Sequence, residues 1–289
     1  MDAATSARLA AAVGRDVAGA RSLGGQHGVA HYRLELADGT VAFAKVRNPL
    51  DHGNGAAGFA AEAAGLRWLA AAEAVPVPSV FGCDADCLIT EWVDADAPRP
   101  DAASQFGRDL AVLHLAGSTQ FGAPWPGVIA GLELPNDPGD TWPEWYWTNR
   151  VLPYTRLARD AGTLTKADVA QIESARARSL ELAGPAEPPS RIHGDCWSGN
   201  VLWSGGRGWL IDPAAHGGHR ETDLAMLALF GTPYLDRIMG AYQEIAPLAD
   251  GWRNRVPLHQ LHPLLVHVCL FGESYRDAAL HAARLVLAA

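Results

Sequence analysis

The alternation of apolar and polar residues predicts a β-hairpin near the start of the chain. Val29–Leu36 alternates as a strand does, residues 37–40 have the composition of a turn, and residues 41–46 return as a second strand. A glycine-rich bend at residues 24–28 leads into the hairpin. A short amphipathic helix is expected before it, over residues 5–13, with a hydroxyl residue as its cap.

A helix and two more strands are expected after the hairpin. Apolar residues recur at helical spacing over residues 58–74, and the Val-Pro-Val-Pro sequence at residues 75–78 ends that pattern. Strands are expected at residues 79–82 and 87–93. The acidic, proline-containing stretch that follows residue 93 marks the end of this strand-rich part of the chain.

Beyond residue 93 the periodicity is helical. Residues 103–115 and 166–182 repeat apolar positions at helical spacing, and residues 222–289 have the pattern of several helices. Residues 119–153 hold too many prolines and glycines for one long helix. The pattern therefore predicts an α+β protein of two lobes, in which a small antiparallel sheet with one helix precedes a larger, mostly helical part. The predicted lobes are residues 1–93 and 94–289.

Composition narrows the class of protein. The 289 residues are 48% hydrophobic and 19% charged, as in an ordinary globular protein. The net charge of −9 argues against nucleic acid or an anionic membrane surface as a partner, because both favour clustered Lys and Arg. The first residues lack a basic start followed by an apolar run, and no segment approaches the ~18 apolar residues of a membrane span. Neither a secretory signal nor a membrane span is therefore expected.

The four cysteines do not form a zinc motif. Cys83 and Cys87 are close in sequence, but no second pair lies downstream to complete a site. We expect free thiols in a reducing cytoplasm, with a local disulfide between these two residues as the alternative. The sequence contains no internal repeat, and we expect a monomer.

The most informative stretch is residues 191–200, which contain His-Gly-Asp, four further residues and Asn. An apolar run that ends in Asp212 follows it. Phosphoryl transfer from a metal–nucleotide needs one carboxylate to orient and deprotonate the attacking hydroxyl, and oxygen ligands that hold Mg²⁺ on the phosphates. We interpret Asp195 as the base, and Asn200 and Asp212 as the magnesium ligands. The alternative is that these three residues only cap turns.

Lys45 is a candidate phosphate contact. It is one of two lysines in the chain, and it lies in the apolar strand at residues 41–46, where a charge needs a partner. Glu62, on the predicted helix, is the expected partner. Such a Lys–Glu pair would hold the ammonium group against the α- and β-phosphates of ATP.

Two backbone segments are further candidate nucleotide contacts. Gly24, Gly25 and Gly28 could let backbone amides approach the phosphates, although they do not match G-x-G-x-x-G and a plain loop is the alternative. The backbone at the end of the last predicted strand would bind the edge of adenine, with an ordinary strand end as the alternative. This second segment is Glu91, Trp92 and Val93.

Four aromatic and basic residues are candidate contacts for the acceptor, the molecule that receives the phosphoryl group. Trp142 and Trp145 belong to a tryptophan-rich cluster whose rings could stack on a sugar, and core packing is the alternative. His219 and Arg220 follow the predicted metal ligand Asp212 in a stretch with several histidines and acids, and we expect them to contact the acceptor. A zinc site in this stretch is the alternative.

Four other residues are interpreted as structural. His193 is expected to hold the loop around Asp195 by hydrogen bonds. Asp223 is expected to anchor the loop in which it lies, at residues 216–222, or to cap a helix that starts at Leu224. Trp197 and Trp203 are expected to pack in the core.

These residues resemble the fructosamine (ketosamine) kinases, relatives of the aminoglycoside and choline phosphotransferases. The resemblance lies in HGDCWSGNVL at residues 193–202, IDPA at 211–214 and GHRETDLAM at 218–226, where the family typically has HGDLWSGN, IDPA and GHREADLAM. Cys196 replaces the family's usual leucine, and the glycine-rich segment differs from the family's pattern and holds no cysteine. Weaker similarity covers residues 44–45, 62–66 and 142–152.

The resemblance implies a bilobal protein-kinase-like fold and an enzyme that uses ATP and Mg²⁺. It also implies phosphorylation of a sugar hydroxyl on a ketosamine, a fructosamine-like glycated amine, with Asp195 as proton acceptor and with a role in deglycation. Two other functions stay open: a kinase for another acceptor, such as an aminoglycoside, a choline-like alcohol or a free sugar, and a nucleotide-binding pseudokinase scaffold. A metal-dependent phosphoesterase would need further His and Asp ligands that the chain lacks.

Overall fold

A five-stranded antiparallel sheet forms the first part of the fold. The computed structural model describes residues 3–26, 28–47 and 55–289. The strands lie in the order β1-β2-β3-β5-β4, and every neighbouring pair is antiparallel. The strands are β1 Val17–Gln26, β2 Val29–Leu36, β3 Val41–Arg47, β4 Val80–Cys83 and β5 Cys87–Glu91, and the helices beside them are α1 Ala3–Val13 and α2 Gly55–Ala70.

The sequence pattern predicted most of these elements but not all of their limits. β1 was not expected, because its sequence of small and polar residues carries no apolar alternation; it is held by backbone pairing with β2. α2 ends at Ala70 rather than at residue 74, and Glu73 then has a left-handed φ of 51°. β5 ends at Glu91 rather than at Val93.

Each face of the sheet packs against one of the helices. Leu9 of α1 packs on the face that carries Cys87 and Ile89, whereas Phe59 of α2 packs on the face that carries Leu88. Cys83 pairs with Leu88 in the strand register and therefore shares the α2 face. The two cysteines thus lie on opposite faces of the sheet, and both are free thiols.

The second part of the chain is mostly helical, as predicted. α6 has the limits that the sequence indicated, and α3 begins three residues earlier than expected, at a proline in its first turn. Its helices are α3 Pro100–Leu115, α4 Trp142–Tyr146, α5 Leu152–Asp160, α6 Lys166–Leu182, α7 Glu221–Leu229, α8 Leu235–Ile245, α9 Trp252–Phe271 and α10 Arg276–Ala288, and a π-helical turn, Trp147–Val151, joins α4 to α5.

Three two-stranded sheets complete this part of the fold. They pair β6 with β7, β8 with β11, and β9 with β10. The strands are β6 Gly127–Ile129, β7 Leu132–Leu134, β8 Ser190–Ile192, β9 Val201–Ser204, β10 Arg207–Leu210 and β11 His216–Gly218.

Two apolar clusters fill the helical part. One joins α3, α7 and α8 to β9 and β10, and the other joins α5, α6, α9 and α10 to the tryptophan-rich segment around α4. No helix in the described ranges combines the length and the hydropathy that crossing a membrane requires.

Candidate active site

The loop after β8 is held by one buried carboxylate. Asp223, in the first turn of α7, is fully buried and accepts hydrogen bonds from the backbone N–H groups of His193 (2.7 Å) and Gly194 (2.9 Å). His114 of α3 lies 3.1 Å from the same carboxylate. Asp223 therefore anchors the loop that carries Asp195, rather than only its own loop as the sequence indicated. α7 begins at Glu221, before this residue, so Asp223 does not cap the helix.

His193 connects this loop to the segment that ends in Asp212. Its Nδ1 accepts a hydrogen bond from the backbone N–H of Asp195 (3.2 Å), so its Nε2 is the donor to the carbonyl of Ile211 (2.8 Å). Burial lowers the pKa of His193, which favours this neutral form. The histidine is thus structural, as the sequence indicated.

Asp195 and Asn200 are in direct contact. The Asn200 amide Nδ2 donates to the Asp195 carboxylate (2.9 Å) and to the Asp195 backbone carbonyl (2.9 Å). Burial raises the pKa of Asp195 to about 7. The hydrogen bond from Asn200 acts to lower this pKa, whereas the nearby Asp212 and Asp223 carboxylates act to raise it. A carboxylate with such a pKa can accept a proton near neutral pH.

Lys45 lies between two carboxylates. Its Nζ is 2.9 Å from each Glu62 oxygen and 2.7 Å from Asp212 Oδ1. Burial acts to lower the pKa of Lys45, but the two carboxylates raise it above its usual range, so the lysine is charged. Lys45 thus links three parts of the fold: strand β3, which carries it, helix α2, which carries Glu62, and the segment after β10, which carries Asp212.

Asp212 has a backbone conformation that is uncommon outside glycine. Its φ is 52°, in the left-handed region, which Asp tolerates better than most residues. Pro213 follows directly, and a residue before proline ordinarily adopts an extended conformation, so the left-handed φ of Asp212 is strained. Strain of this kind is concentrated at functional sites.

The side chains present fit a divalent cation. Asn200 donates through Nδ2, and among the described residues no donor is bonded to its Oδ1, so an amide oxygen is available. The Asp212 carboxylate is partly exposed, and its pKa is lowered because Lys45 outweighs the effect of burial. An amide oxygen and an ionised carboxylate are the ligand types that Mg²⁺ prefers.

A cavity of about 260 Å³ opens beside Lys45. Apolar side chains from both parts of the fold line it, including Phe43 of β3, Leu202 of β9 and Ile211. Glu91, Trp92 and Val93 line its far edge, and no backbone hydrogen bond of the described residues engages the Val93 N–H. An apolar slot with free backbone groups at one edge and Lys45 at the other fits an adenine nucleotide.

The three glycines lie where β1 turns into β2. Gly24 and Gly25 pair with His31 and Ala30, just before the last paired residue of β1, Gln26. Gly28 follows with a φ of 74°. A Cβ on Gly25 would lie 2.3 Å from the Val29 carbonyl, so only glycine fits there. Gly24, Gly25 and Gly28 do not line the cavity. Leu23 is the residue of β1 that does.

The four predicted acceptor contacts are buried or already engaged. Trp142 and Trp145 are nearly fully buried, and Trp142 stacks on His259 with ring centroids 4.6 Å apart. Core packing, the alternative interpretation, accounts for both rings. His219 is buried, and Arg220 donates to Glu187 (2.7 Å) and to the Ala246 carbonyl (3.0 Å).

The zinc alternative meets an electrostatic obstacle. His219, Glu221 and His259 do lie together, with ligand atoms within 4.8 Å of one another. Both Glu221 oxygens, however, accept hydrogen bonds from Arg255, at 2.7 and 2.8 Å. The guanidinium already supplies the positive charge, and we assign the cluster to a buried ion pair.

An exposed aromatic surface beside Asp195 was missed by the sequence analysis. Trp203 is buried as expected, but Trp197, two residues after Asp195, is 37% exposed and meets Phe230 edge to face at 6.1 Å. The surface continues through further ring contacts onto the end of α9. We call it the aromatic shelf; its members are Trp197, Phe230, His267, Phe271 and Tyr275.

Replacing Asp223 with Asn is expected to loosen the loop that carries Asp195. The amide keeps the size of the carboxylate but loses its charge and one acceptor, so a buried N–H group is left unpaired. We expect the free energy of unfolding to fall by about 3 kcal/mol in denaturant titrations, and turnover to fall with it. Asp101→Asn, at an exposed position, should change stability by less than ~0.5 kcal/mol. Equal stability of the wild type and Asp223→Asn would contradict the anchoring role.

Comparison with known proteins agrees with this geometry. The profile of the fructosamine kinase family matches residues 1–289. The chain belongs to the fructosamine kinase family. A "probable ketoamine kinase" of Enterococcus faecium is 33% identical over 221 residues, which cover 75% of this chain and 78% of that protein. Membership makes the protein a phosphotransferase enzyme, and it implies ATP binding.

Solved structures support the same assignment. The crystal structure of a proposed fructosamine-3-kinase from Thermobifida fusca has a TM-score of 0.94 and 53% identity, with 98% of each chain covered. An ADP-bound aminoglycoside phosphotransferase, APH(2'')-Ib, has a TM-score of 0.66 at 15% identity, with 99% of each chain covered, and therefore shows the fold alone. The fructosamine kinase fold of this chain is thus the protein-kinase-like α+β fold that the sequence predicted.

Proposed function

We propose that this fructosamine kinase transfers the γ-phosphoryl group of ATP to a sugar hydroxyl of a ketosamine, and so acts in deglycation. The observation that carries the proposal is the contact of Lys45 with Asp212 at the edge of a nucleotide-sized cavity. The Asn200–Asp195 pair adjoins this edge, because the backbone N–H of Ile211, next to Asp212, donates to the Asn200 carbonyl (3.1 Å). A lysine, an amide and two carboxylates are the side-chain types that such a transfer uses, together with ATP and Mg²⁺, and this supports the proposal. The ketosamine is favoured as acceptor because of family membership.

Each residue would have a separate task. Asn200 and Asp212 would hold Mg²⁺, which supplies charge stabilisation for the phosphates when bound. Lys45, fixed by Glu62, would orient the phosphates, and the backbone of Glu91, Trp92 and Val93 would hold adenine. The Asp195 carboxylate would accept a hydrogen bond from the acceptor hydroxyl and take its proton as the hydroxyl oxygen attacks. Gly24, Gly25 and Gly28 stay candidates for phosphate contacts through their backbone.

The nucleotide would lie between two lobes. The sheet ends at Glu91 and α3 begins at Pro100, and the cavity is lined from both sides of this connection. We therefore propose lobes of residues 1–93 and 94–289. The four free thiols support a reducing, cytoplasmic environment, and we propose that the enzyme acts as a monomer.

The aromatic shelf is our proposed acceptor surface. The backbone N–H of Trp197 donates to the Asp195 carbonyl (3.1 Å), so the backbone that carries the indole is held close to the base. An exposed indole beside the base can hold the apolar face of a sugar ring. In this proposal the shelf contacts the acceptor in place of the buried Trp142 and Trp145. His219 and Arg220 would have a structural role in the segment before α7.

Trp197→Ala is expected to raise the KM for the acceptor about tenfold while the KM for ATP stays within twofold. The reason is the loss of an aromatic contact on the acceptor only, and contacts of this kind contribute ~0.5–1.5 kcal/mol beyond the area that they bury. Steady-state kinetics with each substrate varied in turn measures both constants. Trp252→Ala, which removes another partly exposed indole, is the control, and an unchanged acceptor KM in Trp197→Ala would remove the shelf from the site.

The pH profile should report Asp195. Its pKa is raised to about 7, and only the ionised form can accept a proton, so kcat/KM for the acceptor should be level above about pH 7. Below that pH it should fall roughly tenfold per unit as the carboxylate becomes protonated. Initial rates from pH 5 to 9 measure the profile, with ATP binding at each pH as the control. A rate that stays level or rises towards pH 5 would rule out Asp195 as the base.

A mass-spectrometric acceptor screen tests the function as a whole. The enzyme, Mg²⁺ and ATP are incubated separately with a ketosamine such as fructose-lysine, an aminoglycoside, choline and free fructose. We expect the gain of one phosphoryl group on the ketosamine, at a rate that exceeds the others by orders of magnitude. An aminoglycoside that reacts faster would make another acceptor the substrate, and ATP binding without any transfer would support a pseudokinase scaffold.

A further inference from the structure

Arg150 is a buried cation without a buried anion beside it. Its side chain is 1% exposed, and within the described residues no carboxylate lies at ion-pair distance from it. Its partners are uncharged: Nη1 donates to the carbonyls of Pro135 and Asn149, and Nη2 donates to the Asn136 side chain (2.8 Å). Burial lowers the pKa of Arg150, but only to about 10, so the guanidinium is charged at neutral pH.

The uncharged partners do not satisfy this guanidinium. Its Nε is buried and has no hydrogen-bond partner, although arginine carries five N–H donors in all. One face of the group lies over the Trp145 ring, 4.4 Å from its centroid. An unpaired buried charge costs several kcal/mol, far more than an unpaired hydroxyl or amide. Arg255, the other buried arginine among the described residues, has Glu221 as its carboxylate partner.

A small cavity lies beside Arg150 and beneath the catalytic loop. Its volume is about 10 Å³, enough for one particle of about the size of a water molecule. Arg150, His262 and Gly194 all contribute to its wall. His262 is 3% exposed, and its Nε2 is a second buried polar atom without a partner.

The backbone around Arg150 is also unusual. Arg150 lies in the π-helical turn Trp147–Val151, in which the ordinary helical hydrogen-bond pattern is interrupted by an extra residue. Such turns are rare and are found most often at functional sites. Here the turn brings the guanidinium to the wall of the cavity.

We propose that this cavity binds one small monovalent anion of the halide type, chloride under ordinary conditions, as the counter-ion of Arg150. The anion would accept hydrogen bonds from the unpartnered Arg150 Nε–H and from a His262 ring N–H. A water molecule could fill the same space but brings no charge, and the size of the cavity excludes phosphate or an organic carboxylate. This inference is independent of the acceptor and of the kinase reaction.

The protonation state of two histidines that line the cavity determines which ring N–H can contact the anion. Burial, followed by the charge of Arg150, lowers the pKa values of His216 and His262 well below the usual histidine value. Both rings are therefore neutral. His216 donates its one N–H, from Nδ1, to the Ala214 carbonyl (2.8 Å), so His262 is the ring that can offer an N–H donor to the anion. The positive charge of Arg150 would repel a metal cation in the same cavity, so the site does not suit a cation.

Thermal unfolding in matched salts tests the proposal. The full-length protein is prepared in sodium gluconate and titrated with sodium bromide at constant ionic strength. We expect the unfolding midpoint to rise with saturation, by about 4 °C at one hundred times the half-saturating concentration. No bromide-specific rise, or a rise that does not saturate below molar concentration, would overturn the proposal.

Two variants separate this site from general salt effects. Arg150→Met removes the buried charge and should lose the bromide-dependent rise. Arg276→Met removes an arginine that is paired with Asp168 elsewhere and should keep the rise, whatever its own stability. A bromide response that persists undiminished in Arg150→Met would overturn the proposal.

A crystallographic measurement keeps the test decisive if Arg150→Met does not fold. Wild-type crystals grown in bromide are measured at the bromine absorption edge. We expect an anomalous peak in the cavity between Arg150 and His262. Electron density there without an anomalous peak would identify a water molecule and overturn the proposal.

Discussion

Lys45→Met should lower kcat/KM for ATP by ~10²–10³-fold. The lysine ammonium is held 2.7 Å from Asp212 and 2.9 Å from both oxygens of Glu62, and it is the cation best placed to meet the nucleotide phosphates. Removing a positioned charge from a partly desolvated site removes stabilisation that water does not replace. The substitution also leaves two carboxylates facing each other, so the free energy of unfolding should fall by about 3 kcal/mol.

The chain provides its own matched control for this variant. Lys166 is the other lysine, and it lies in the first turn of α6, outside the cavity. Lys166→Met should therefore keep kcat/KM for ATP within twofold of the wild-type value. If Lys45→Met turned over ATP as fast as Lys166→Met, the proposed phosphate contact would be wrong, whatever the change in stability.

Asp195→Asn should lower kcat by ~10²–10⁴-fold while the dissociation constant of ATP changes little. The asparagine has nearly the same shape and can still contact Asn200, but it cannot accept the proton of the acceptor hydroxyl. Phosphoryl transfer depends strongly on positioning, so some turnover should persist. Single-turnover rates give the chemical step, and calorimetry gives the affinity for ATP.

Two comparisons make the Asp195 result specific. Asp101→Asn removes an exposed carboxylate at the start of α3 and should leave both constants unchanged. The thermal unfolding midpoint of Asp195→Asn should not fall. The raised pKa of about 7 shows that burial disfavours the ionised carboxylate, and the substitution removes that unfavourable charge. Wild-type turnover in Asp195→Asn would remove this residue from the mechanism.

Local sequence signals predicted the parts of the site that are close together in the chain. The order of Asp195, Asn200 and Asp212 reflects one loop and one hairpin, and their spacing is set by β9 and β10. The Lys45–Glu62 pair also followed from local reasoning, because a lysine in an apolar strand needs a counter-charge. The sequence did not indicate the direct contact of Lys45 with Asp212, which depends on how the sheet and the helical part pack.

Burial was the property that the sequence indicated least well. Trp142 and Trp197 are both tryptophans in polar surroundings in the sequence, yet the first is a core residue and the second is exposed beside the base. Whether a ring faces the core depends on neighbours far along the chain, such as His259 for Trp142 and Phe230 for Trp197. The strand β1 was missed for a similar reason, since backbone pairing, rather than apolar alternation, determines it.

The central claim is that Asn200 and Asp212 share one divalent cation at the phosphates of the nucleotide. Crystals grown with Mn²⁺ and a non-hydrolysable ATP analogue, measured at the manganese absorption edge, test it most directly. The account predicts an anomalous peak within ligand distance of the Asn200 side-chain oxygen, the Asp212 carboxylate and the phosphates. A manganese peak that contacts neither residue, with the analogue bound in the cavity beside Lys45, would contradict it.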